Sequence, residues 1–513
     1  MNTAENLNSQ ASILELIKGI KELSDTEKSA LQIVVRGVQM DSRLLQKGDL
    51  FIACFGRNHD ARNYIDQAIK DGCSAVLAES DDNWQGVEFR ENVPVIAIDN
   101  LSAYISEISA RFYNHPSMKL SVIGITGTNG KTSCSQFIAQ SLTELGHRCG
   151  VIGTLGYGIC DELKETQLTT PDAVFTQRAL AEMVSQSIDP VAMEVSSVGL
   201  HQKRVRSVKF DSAIFTNLSR DHLDYHESME VYGENKKKLF TMPGLAAAII
   251  NLDDPFALSI INNISSDVEV ITYSLKNKVS TVFADSIELT SSGFNASVVT
   301  PIGKGNLSGK LIGYFNFSNV LAVIAALLHY LARQKEISIE TICETVSKLQ
   351  PVNGRMEIIG ESDEITVVVD YAHTPDGLRS ALAALEDHFT GEIWCVFGCG
   401  GNRDKGKRPL MGEIAETHAN QLIITDDNPR NERGDEIVQH ILSGINNPEA
   451  VNVVRDRAEA ISFAIKNANA GDVVLVAGKG HETYQDIAGT RNIFSDTKQV
   501  RLALQERESK RSN

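Results

Sequence analysis

The eight cysteines, at 54, 73, 134, 149, 160, 343, 395 and 399, are scattered without the paired spacings of a zinc site or a secreted disulfide framework. That excludes a disulfide-stapled scaffold and predicts reduced thiols in a cytosolic protein. The first residues, MNTAENLNSQASILELIKGIKEL, lack the basic-then-apolar layout of a signal peptide, and no stretch is expected to approach the apolar length of a membrane span. Basic residues are in deficit, 49 against 66 acidic ones, for a net charge of −17. A nucleic-acid coat or a membrane-surface protein needs the opposite balance. The expectation is therefore a cytoplasmic protein with no nucleic-acid or membrane partner, which must hold any anion by local devices. Repeats and low-complexity tracts are absent, and only the tail RESKRSN reads as frayed.

At 513 residues the chain is too long for one core; roughly 150 residues per domain points to about three. Its 42% apolar content fits a globular enzyme. Residues 1–113 mix short strand-like runs (DLFIACF, SAVLAE, VPVIAI) with helical ones and end near His115-Pro116, since the residue before proline is pushed out of helix. From KLSVIGIT at 119 the pattern becomes apolar strand, polar loop, amphipathic helix, repeated. This alternation marks a parallel sheet with helices on its faces. Residues 280–312 read as strands with short turns, NFSNVLAVIAALLHYLARQ as a buried helix, and LQPVNGR as a second joint. The rhythm then restarts through TVVVD, EIWCVFG, QLIIT, AVNVV and DVVLVAG. The expected fold is α/β in three domains, 1–113, 114–350 and 351–513, the middle one built on a mainly parallel sheet.

In such sheets ligands gather beyond the carboxyl ends of the strands, and the polar motifs stand there. SVIGIT runs into GTNGKT, PVAMEV into SSVGLHQKR and SAIFTN into LSRDHLDYH; later TVVVD runs into YAH, CVFG into CGGNRDKG, QLIIT into DDNPR and DVVLVAG into KGHE. ITGTNGKTS, 125–133, is the clearest. Gly127 and Gly130 let the backbone turn its amides toward a phosphate, Lys131 adds a point charge, and a helix starting at Thr132 offers its positive end. The Thr132 hydroxyl can then ligate Mg²⁺. Cys134, Phe137, Ile138, Leu142 and Leu145 fall on one helical stripe, the strand-loop-helix context that a phosphate loop requires. The loop is a variant, because Ile125 stands where the standard motif has glycine. A bare glycine turn would not need the lysine and threonine as well.

Other motifs leave two readings open. Glu194 ends its strand on the same edge and His222 follows the third strand; both can reach a metal over the phosphates, yet hard cations prefer oxygen, and a lone histidine is more often a turn residue. Lys236, in YGENKKKLF, reads as one of three solvated lysines on a helix face. GCGGNRDKG fails as a dinucleotide fingerprint because Arg403 stands where the third glycine belongs; with Lys405 nearby it reads as an anion-binding loop. Asp370 and His373, in VVVDYAHTP, are either a catalytic pair or a strand-ending acid and a turn histidine.

TGTNGKT, EVSS, TNLSRDHLDYH, GYFNFSN at 313–319, NGRME, DYAHTPD and GCGGNRDKGKRP together resemble the Mur ligases, ATP-dependent amide-forming enzymes of bacterial cell-wall precursor synthesis, over essentially the whole chain. Several of these motifs are shared with folylpolyglutamate synthetase. DNPR with GCGGNRDKG is narrower and is similar to the members that add meso-2,6-diaminopimelate. The resemblance implies an N-terminal domain for a uridine nucleotide, a central P-loop ATPase and a C-terminal Rossmann-like domain. It implies a monomer using ATP and Mg²⁺, with UDP-N-acetylmuramoyl-L-alanyl-D-glutamate and meso-2,6-diaminopimelate as substrates. ATP would phosphorylate the free D-glutamyl carboxylate and the amine would then displace phosphate, the developing charge being met by Mg²⁺ and Lys131.

Carried over by position, Gly127, Thr128, Asn129, Gly130, Lys131 and Thr132 would hold the ATP phosphates, with Asn316, Asn319, Arg355 and Asp370 around adenine and ribose. Thr132, Glu194 and His222 would serve the metals with Lys236, which the resemblance makes a carbamylated lysine (N6-carboxylysine). Thr169, Thr170, Ser196, Gln202 and Arg204 would grip the muramoyl peptide, and Met40, Ser42, Arg57, Asn58 and His59 the uridine nucleotide. One departure stands out: after EVSS, relatives carry histidine where this chain has Val198, with His201 three positions later.

The turn in QLIITDDNPRNER, 421–433, then acquires a use. The far end of meso-diaminopimelate carries an ammonium and a carboxylate. Arg430 can clamp the carboxylate with two parallel hydrogen bonds, and oxygens of Asp427 and Asn428 can accept from the ammonium. Pro429 stiffens the turn and lowers the ordering cost on binding, while Arg403, Gly478 and Glu482 complete the pocket by family position. Lysine lacks that carboxylate, and sites built to pair a buried polar group reject such analogues by around 10⁴. Two rival readings are a polyglutamate-adding ligase and a nucleotide switch that joins nothing.

Overall fold

The computed structural model describes residues 9–511 apart from 57–58, 83, 161, 333–336 and 362–364. Each strand-rich stretch closes its own sheet. The first contains β1 (Val38–Gln39), β2 (Leu50–Ala53), β3 (Ala75–Glu79), β4 (Val87–Arg90) and β5 (Val93–Ile98) in the order β1-β2-β3-β5-β4, parallel except for the β4 edge.

The second sheet has ten strands. In chain order its elements are β6 (Val122–Thr126), α1 (Lys131–Glu144), β7 (Gly150–Gly153), β8 (Gly156–Ile159), α2 (Ala173–Ser185), β9 (Val191–Glu194), β10 (Ser212–Phe215), α3 (Met229–Lys237), β11 (Ala247–Asn251), β12 (Glu269–Ser274), β13 (Val282–Thr290), β14 (Gly293–Thr300), β15 (Gly303–Gly309) and α4 (Tyr314–Leu331). The order β8-β7-β9-β6-β10-β11-β12-β13-β14-β15 is parallel from β7 to β13 and antiparallel at both ends. β6 lies where the chain's progress across the sheet reverses, with β9 on one side and β10 on the other, the place where such sheets open a crevice. Helices cover both faces, so these strands are apolar on both sides. Phe137, Ile138 and Leu142 of α1 pack with Phe317, Leu321 and Ile324 of α4 on one face; Leu180 and Met183 of α2 pack with Phe210 and Leu239 on the other.

α4 corrects one expectation. Among the described residues this helix, with a mean hydropathy of 1.4, is long and apolar enough to cross a membrane, but 78% of it is buried in the protein. It is apolar all round because it lies inside the core. α1 departs too: Ser133, Ser135, Gln136 and Ser141 are buried along with the expected stripe.

The third sheet contains β16 (Glu357–Glu361), β17 (Thr366–Asp370), β18 (Ile393–Phe397), β19 (Gln421–Ile424), β20 (Asn452–Val453) and β21 (Val473–Ala477) in the order β16-β17-β21-β18-β19-β20, with only β16 antiparallel. Between its strands run α5 (Pro375–His388) and α6 (Lys407–His418). Thr374 caps α5 through Gly377 N (3.0 Å), with Pro375 at the first helical position, where its missing N–H costs nothing. The second and third sheets meet at their chemistry-bearing edges: Arg220 donates to Asp404 (3.1 Å), Asn129 Nδ2 to Asp376 (3.1 Å) and Arg355 to Thr132 Oγ1 (3.2 Å).

Candidate active site

The loop after β6 folds tightly because two positions have no Cβ. One at Gly127 (φ +153°) would fall 1.8 Å from Thr216 Oγ1, and one at Gly130 (φ +87°) 2.6 Å from Asn319 Oδ1. The chain beyond β10 ties the loop down: Thr128 N donates to Asn217 O and Asn129 N to Asn217 Oδ1, both at 2.9 Å. Lys131 Nζ donates to the carbonyls of Gly127 and Thr128, each at 2.8 Å.

Lys236 is 1% exposed, which corrects its reading as a solvated lysine. The last turn of α3 turns inward, its amine donating to Gly127 O (2.7 Å) and lying 4.3 Å from the centre of the Tyr232 ring. Burial, reinforced by the charge of Lys131, pushes the Lys236 amine well below the ordinary lysine range. Burial also lowers Lys131, opposed by Glu194 and Asp221.

Glu194, at the end of β9, is 1% exposed and accepts from Thr132 Oγ1 (3.0 Å), Thr154 N (2.8 Å) and Thr154 Oγ1 (3.0 Å). Carboxylate and hydroxyl oxygens suit a hard cation. Among the described residues no three of His, Cys, Asp and Glu converge as a ready-made metal set. A cation here would therefore draw further oxygens from a bound phosphate. His222 Nε2, on a side chain left 47% exposed, lies 3.4 Å from Asp221, and partial desolvation in the cleft lowers its imidazole against the pull of Asp221. Asp221 is pushed up by burial, but His222, His373 and Lys407 hold it below the carboxylate range overall.

From the third sheet, Asp370 accepts from Met356 N (2.7 Å), while His373 Nδ1 donates to Tyr371 O (2.8 Å) and its other nitrogen faces Asp221 at 3.9 Å. The two thus act as separate anchors. Arg355 lies 4.2 Å from the Tyr371 ring centre. The strand ends of both sheets enclose a cavity of about 830 Å³, lined by Thr128, Asn129, Gly130, Lys131, Thr132, Thr169, Glu194, Ser196, His222, Lys236, Asn319, Arg355 and Asp370. Gly127 sits behind it through the two lysine bonds, and Asn316 is tied to Ile312 O (2.9 Å). Thr170, Gln202 and Arg204 form a network at its rim: Ser196 N donates to Thr170 Oγ1 (2.9 Å), Arg204 Nη1 to Thr170 O (2.5 Å) and Arg204 Nε to Gln202 Oε1 (2.9 Å). Beside Val198, His201 meets the Tyr225 hydroxyl at 2.9 Å.

A second cavity, about 510 Å³, lies between the first sheet and α2, lined by Met40, Ser42 and His59 with Phe175 and Arg178. Arg57 and Asn58 lie outside the described residues.

The DDNPR turn forms a third cluster. A Cβ on Gly478 (φ +116°) would fall 2.6 Å from Asp427 Oδ2, so only glycine lets that carboxylate seat there. Arg430 (φ +50°) donates through Nη1 to Gly401 O (2.8 Å), and a Cβ on Gly401 would lie 1.9 Å from Pro429 O. The glycines of GCGGNRDKG thus let that loop pack against the turn, with Arg403 exposed on it. Asn428 departs from expectation: its Oδ1 already accepts from Lys479 Nζ (3.1 Å) and Asp486 N (2.9 Å), and its Nδ2 donates to Glu482 Oε2 (2.8 Å). The oxygen expected to await an ammonium is filled, because a buried lysine from the neighbouring turn reaches it.

Sequence reasoning missed Thr154, Tyr232, Asp221 and Lys479. Asp221, beside His222, carried a faint signal as an acid in the loop that follows β10. The others meet their partners only through sheet order.

Three family models match the chain: the catalytic domain of the Mur ligase family over 34–113, the Mur ligase middle domain over 125–327 and the Mur ligase glutamate ligase domain over 354–480. The UDP-N-acetylmuramoyl-L-alanyl-D-glutamate–2,6-diaminopimelate ligase of Coxiella burnetii is 46% identical over 493 residues, covering 95% of this chain and 99% of the relative. That of Pseudomonas aeruginosa is 45% identical over 472 residues, covering 92% and 95%. A solved structure of a ligase of that same name aligns with TM-score 0.68 at 33% identity, covering 97% of this chain and 99% of its own. Thermotoga maritima MurF in complex with ADP shares the fold, with TM-score 0.63 at 16% identity over 93% and 99%. The chain belongs to the Mur ligase family.

Proposed function

We propose that the protein is an ATP-dependent ligase that joins meso-2,6-diaminopimelate to the D-glutamyl side-chain carboxylate of UDP-N-acetylmuramoyl-L-alanyl-D-glutamate, a step of peptidoglycan precursor synthesis in the cytoplasm. The observation that carries the choice of acceptor is the corner where Arg430, Asp427 and Glu482 gather, in a chain nearly half identical to relatives of that name. Residues 1–113, 114–350 and 351–513 serve as the nucleotide-sugar, ATP and amino-acid units.

A carboxylate is inert to amines until one of its oxygens becomes a leaving group. Transfer of the γ-phosphoryl group of ATP to the D-glutamyl carboxylate gives an acyl phosphate and ADP; the amine then attacks the carbonyl carbon, the carbon–oxygen bond to phosphate breaks, and the amine sheds a proton. With Thr128 N and Asn129 N held by Asn217, the unpaired amides at the start of α1 offer themselves to the phosphates, and Lys131 offsets charge on the transferred group. Thr132, Glu194, His222 and a carbamate on Lys236 are the groups that would hold Mg²⁺, which would supply positive charge to offset that of the phosphates. Asn319, Arg355 and Asp370 hold the adenosine end. Thr169, Thr170, Ser196, Gln202 and Arg204 orient the muramoyl peptide, and Met40, Ser42 and His59 the uridine. Arg430 and Arg403 face the distal carboxylate of the acceptor, and Asp427 and Glu482 its ammonium.

The test is ligation of labelled diaminopimelate to the muramoyl dipeptide nucleotide with L-lysine as competitor. Diaminopimelate should win by about 10⁴ in kcat/KM. Comparable values would defeat the assignment, and ATP turnover without any amino acid would favour a switch.

A further inference from the structure

A buried cation behind the acceptor corner has no part in the chemistry above. Lys479 is 0% exposed. Its amine donates to Asn428 Oδ1 (3.1 Å) and Glu482 Oε2 (2.7 Å) and lies 5.6 Å from the centre of the Tyr484 ring. Two other charge pairs nearby are matched, while Asp486, whose N–H also donates to Asn428 Oδ1, keeps one carboxylate oxygen buried without a partner. Arg457 and Asp496, both fully buried, hold each other through two bonds of 2.7 Å, and Asp426 is held by Arg455 through another two of 2.7 Å. Asp427, Glu482 and Lys479, the three charged groups that the Gly478 backbone and the Asn428 amide bring together, sum to a formal charge of minus one.

We propose that Lys479 is a specificity-determining positioning residue, which ties the DDNPR turn to the GKGHE turn and trims the ammonium-reading side to one net negative charge. The inference rests on the reading of the acceptor as a diamino diacid. With Lys479 in place, one ammonium neutralises that side, and the guanidinium beside it remains for the carboxylate. Without Lys479, two acids face the ligand and the Asn428 oxygen loses a donor that orients the amide. A corner of charge minus two favours any cation and repels the distal carboxylate. Diaminopimelate therefore loses more than lysine, whose far end is a cation alone. An ordinary buried ion pair between Lys479 and Glu482 predicts no such selectivity.

Lys479→Met in the full-length enzyme, assayed with diaminopimelate, lysine and ATP and checked by thermal melting, tests this. The KM for diaminopimelate should rise about tenfold or more, the diaminopimelate-to-lysine ratio of kcat/KM should fall about tenfold, and the KM for ATP should stay within about twofold. The double variant Lys479→Met/Glu482→Gln restores the single negative charge and should lose no more than the worse of its two parents. Equal rises in all three KM values, or multiplicative losses in the double variant, would overturn the proposal. If Lys479→Met does not fold, Asn428→Asp adds the same charge with the lysine kept. It should lower the ratio similarly, and an unchanged ratio refutes the role. Parent enzyme that ligates diaminopimelate while the variants keep its selectivity sinks the Lys479 inference alone; parent enzyme that does not ligate it sinks the functional reading as well.

Discussion

Lys131 and Lys236 both donate to the carbonyl oxygen of Gly127, at 2.8 and 2.7 Å. Two ammonium groups on one oxygen in a buried site repel strongly, and both amines are lowered, Lys236 well below the ordinary lysine range. An amine so lowered can, in its neutral form, add carbon dioxide through a new nitrogen–carbon bond and shed a proton, leaving a carbamate anion beside Lys131. The prediction is a carbamate on Lys236, seen as a ¹³C resonance after equilibration with labelled bicarbonate and absent from Lys236→Ala. That variant should lose most ligase activity, on the order of 10²-fold or more. A resonance that persists in the variant would place the carbamate elsewhere.

Arg430→Ala should act on the amino acid alone. Truncating one partner of a buried charge pair costs about 2–5 kcal/mol, or roughly 10²-fold in the KM for diaminopimelate, with the KM for ATP unchanged. Steady-state kinetics with each substrate varied in turn checks this, and parallel changes in both constants would contradict it.

Gly478→Ala should behave as a milder version of the same defect. The new methyl would press on Asp427 Oδ2 at 2.6 Å in a left-handed backbone, a strain of about 1–3 kcal/mol. A raised KM for diaminopimelate with a small drop in melting temperature is the expected pair of results. Unaltered kinetics would mean that Asp427 does not face the ligand.

The Arg220–Asp404 bond joins the loop carrying His222 to the loop carrying Arg403. Arg220 is 41% exposed, so the pair adds only about 0–1 kcal/mol to stability. Asp404→Asn should leave the melting temperature nearly unchanged and lower kcat/KM for ligation by about threefold to tenfold. Raising the ionic strength should shrink the difference between variant and parent. A loss of stability without a loss of rate would show that the bond is merely a brace.

Acidification should destabilise the fold through His226. Burial above all, then the neighbouring His222 and His201, lowers its pKa to about 4, while its ring shares a hydrogen bond with Ser197 Oγ at 2.9 Å. The unfolded chain takes up this proton first as the pH falls. The histidine's contribution is therefore intact above about pH 6.5 and is lost between there and about pH 4, at up to about 1.4 kcal/mol per pH unit. Denaturant unfolding of the parent and of His226→Asn at pH 7 and pH 5 should show a smaller drop in the variant. Equal drops would assign the acid sensitivity to other groups.

The primary structure by itself determined what depends on near neighbours. The run from β6 through GTNGKT into α1 is a strand, two glycines, a lysine and a helix start within a dozen residues, and it was legible for that reason. Five of the six strands of the third sheet, all but the edge strand β16, and the DDNPR turn with its proline and arginine, were legible likewise. Tertiary structure alone decided which distant side chains meet. Lys236 and Gly127 lie 109 residues apart, Thr132 and Glu194 62, and Lys479 and Asn428 51. Those meetings follow from strand order, in which β9 and β10 flank β6 and β21 slips between β17 and β18. Local periodicity carries no record of that order, because any strand with the same alternation could take the neighbouring place. The burial that takes Lys236 off the surface and lowers its amine, and the reach that fills the Asn428 oxygen, both descend from it.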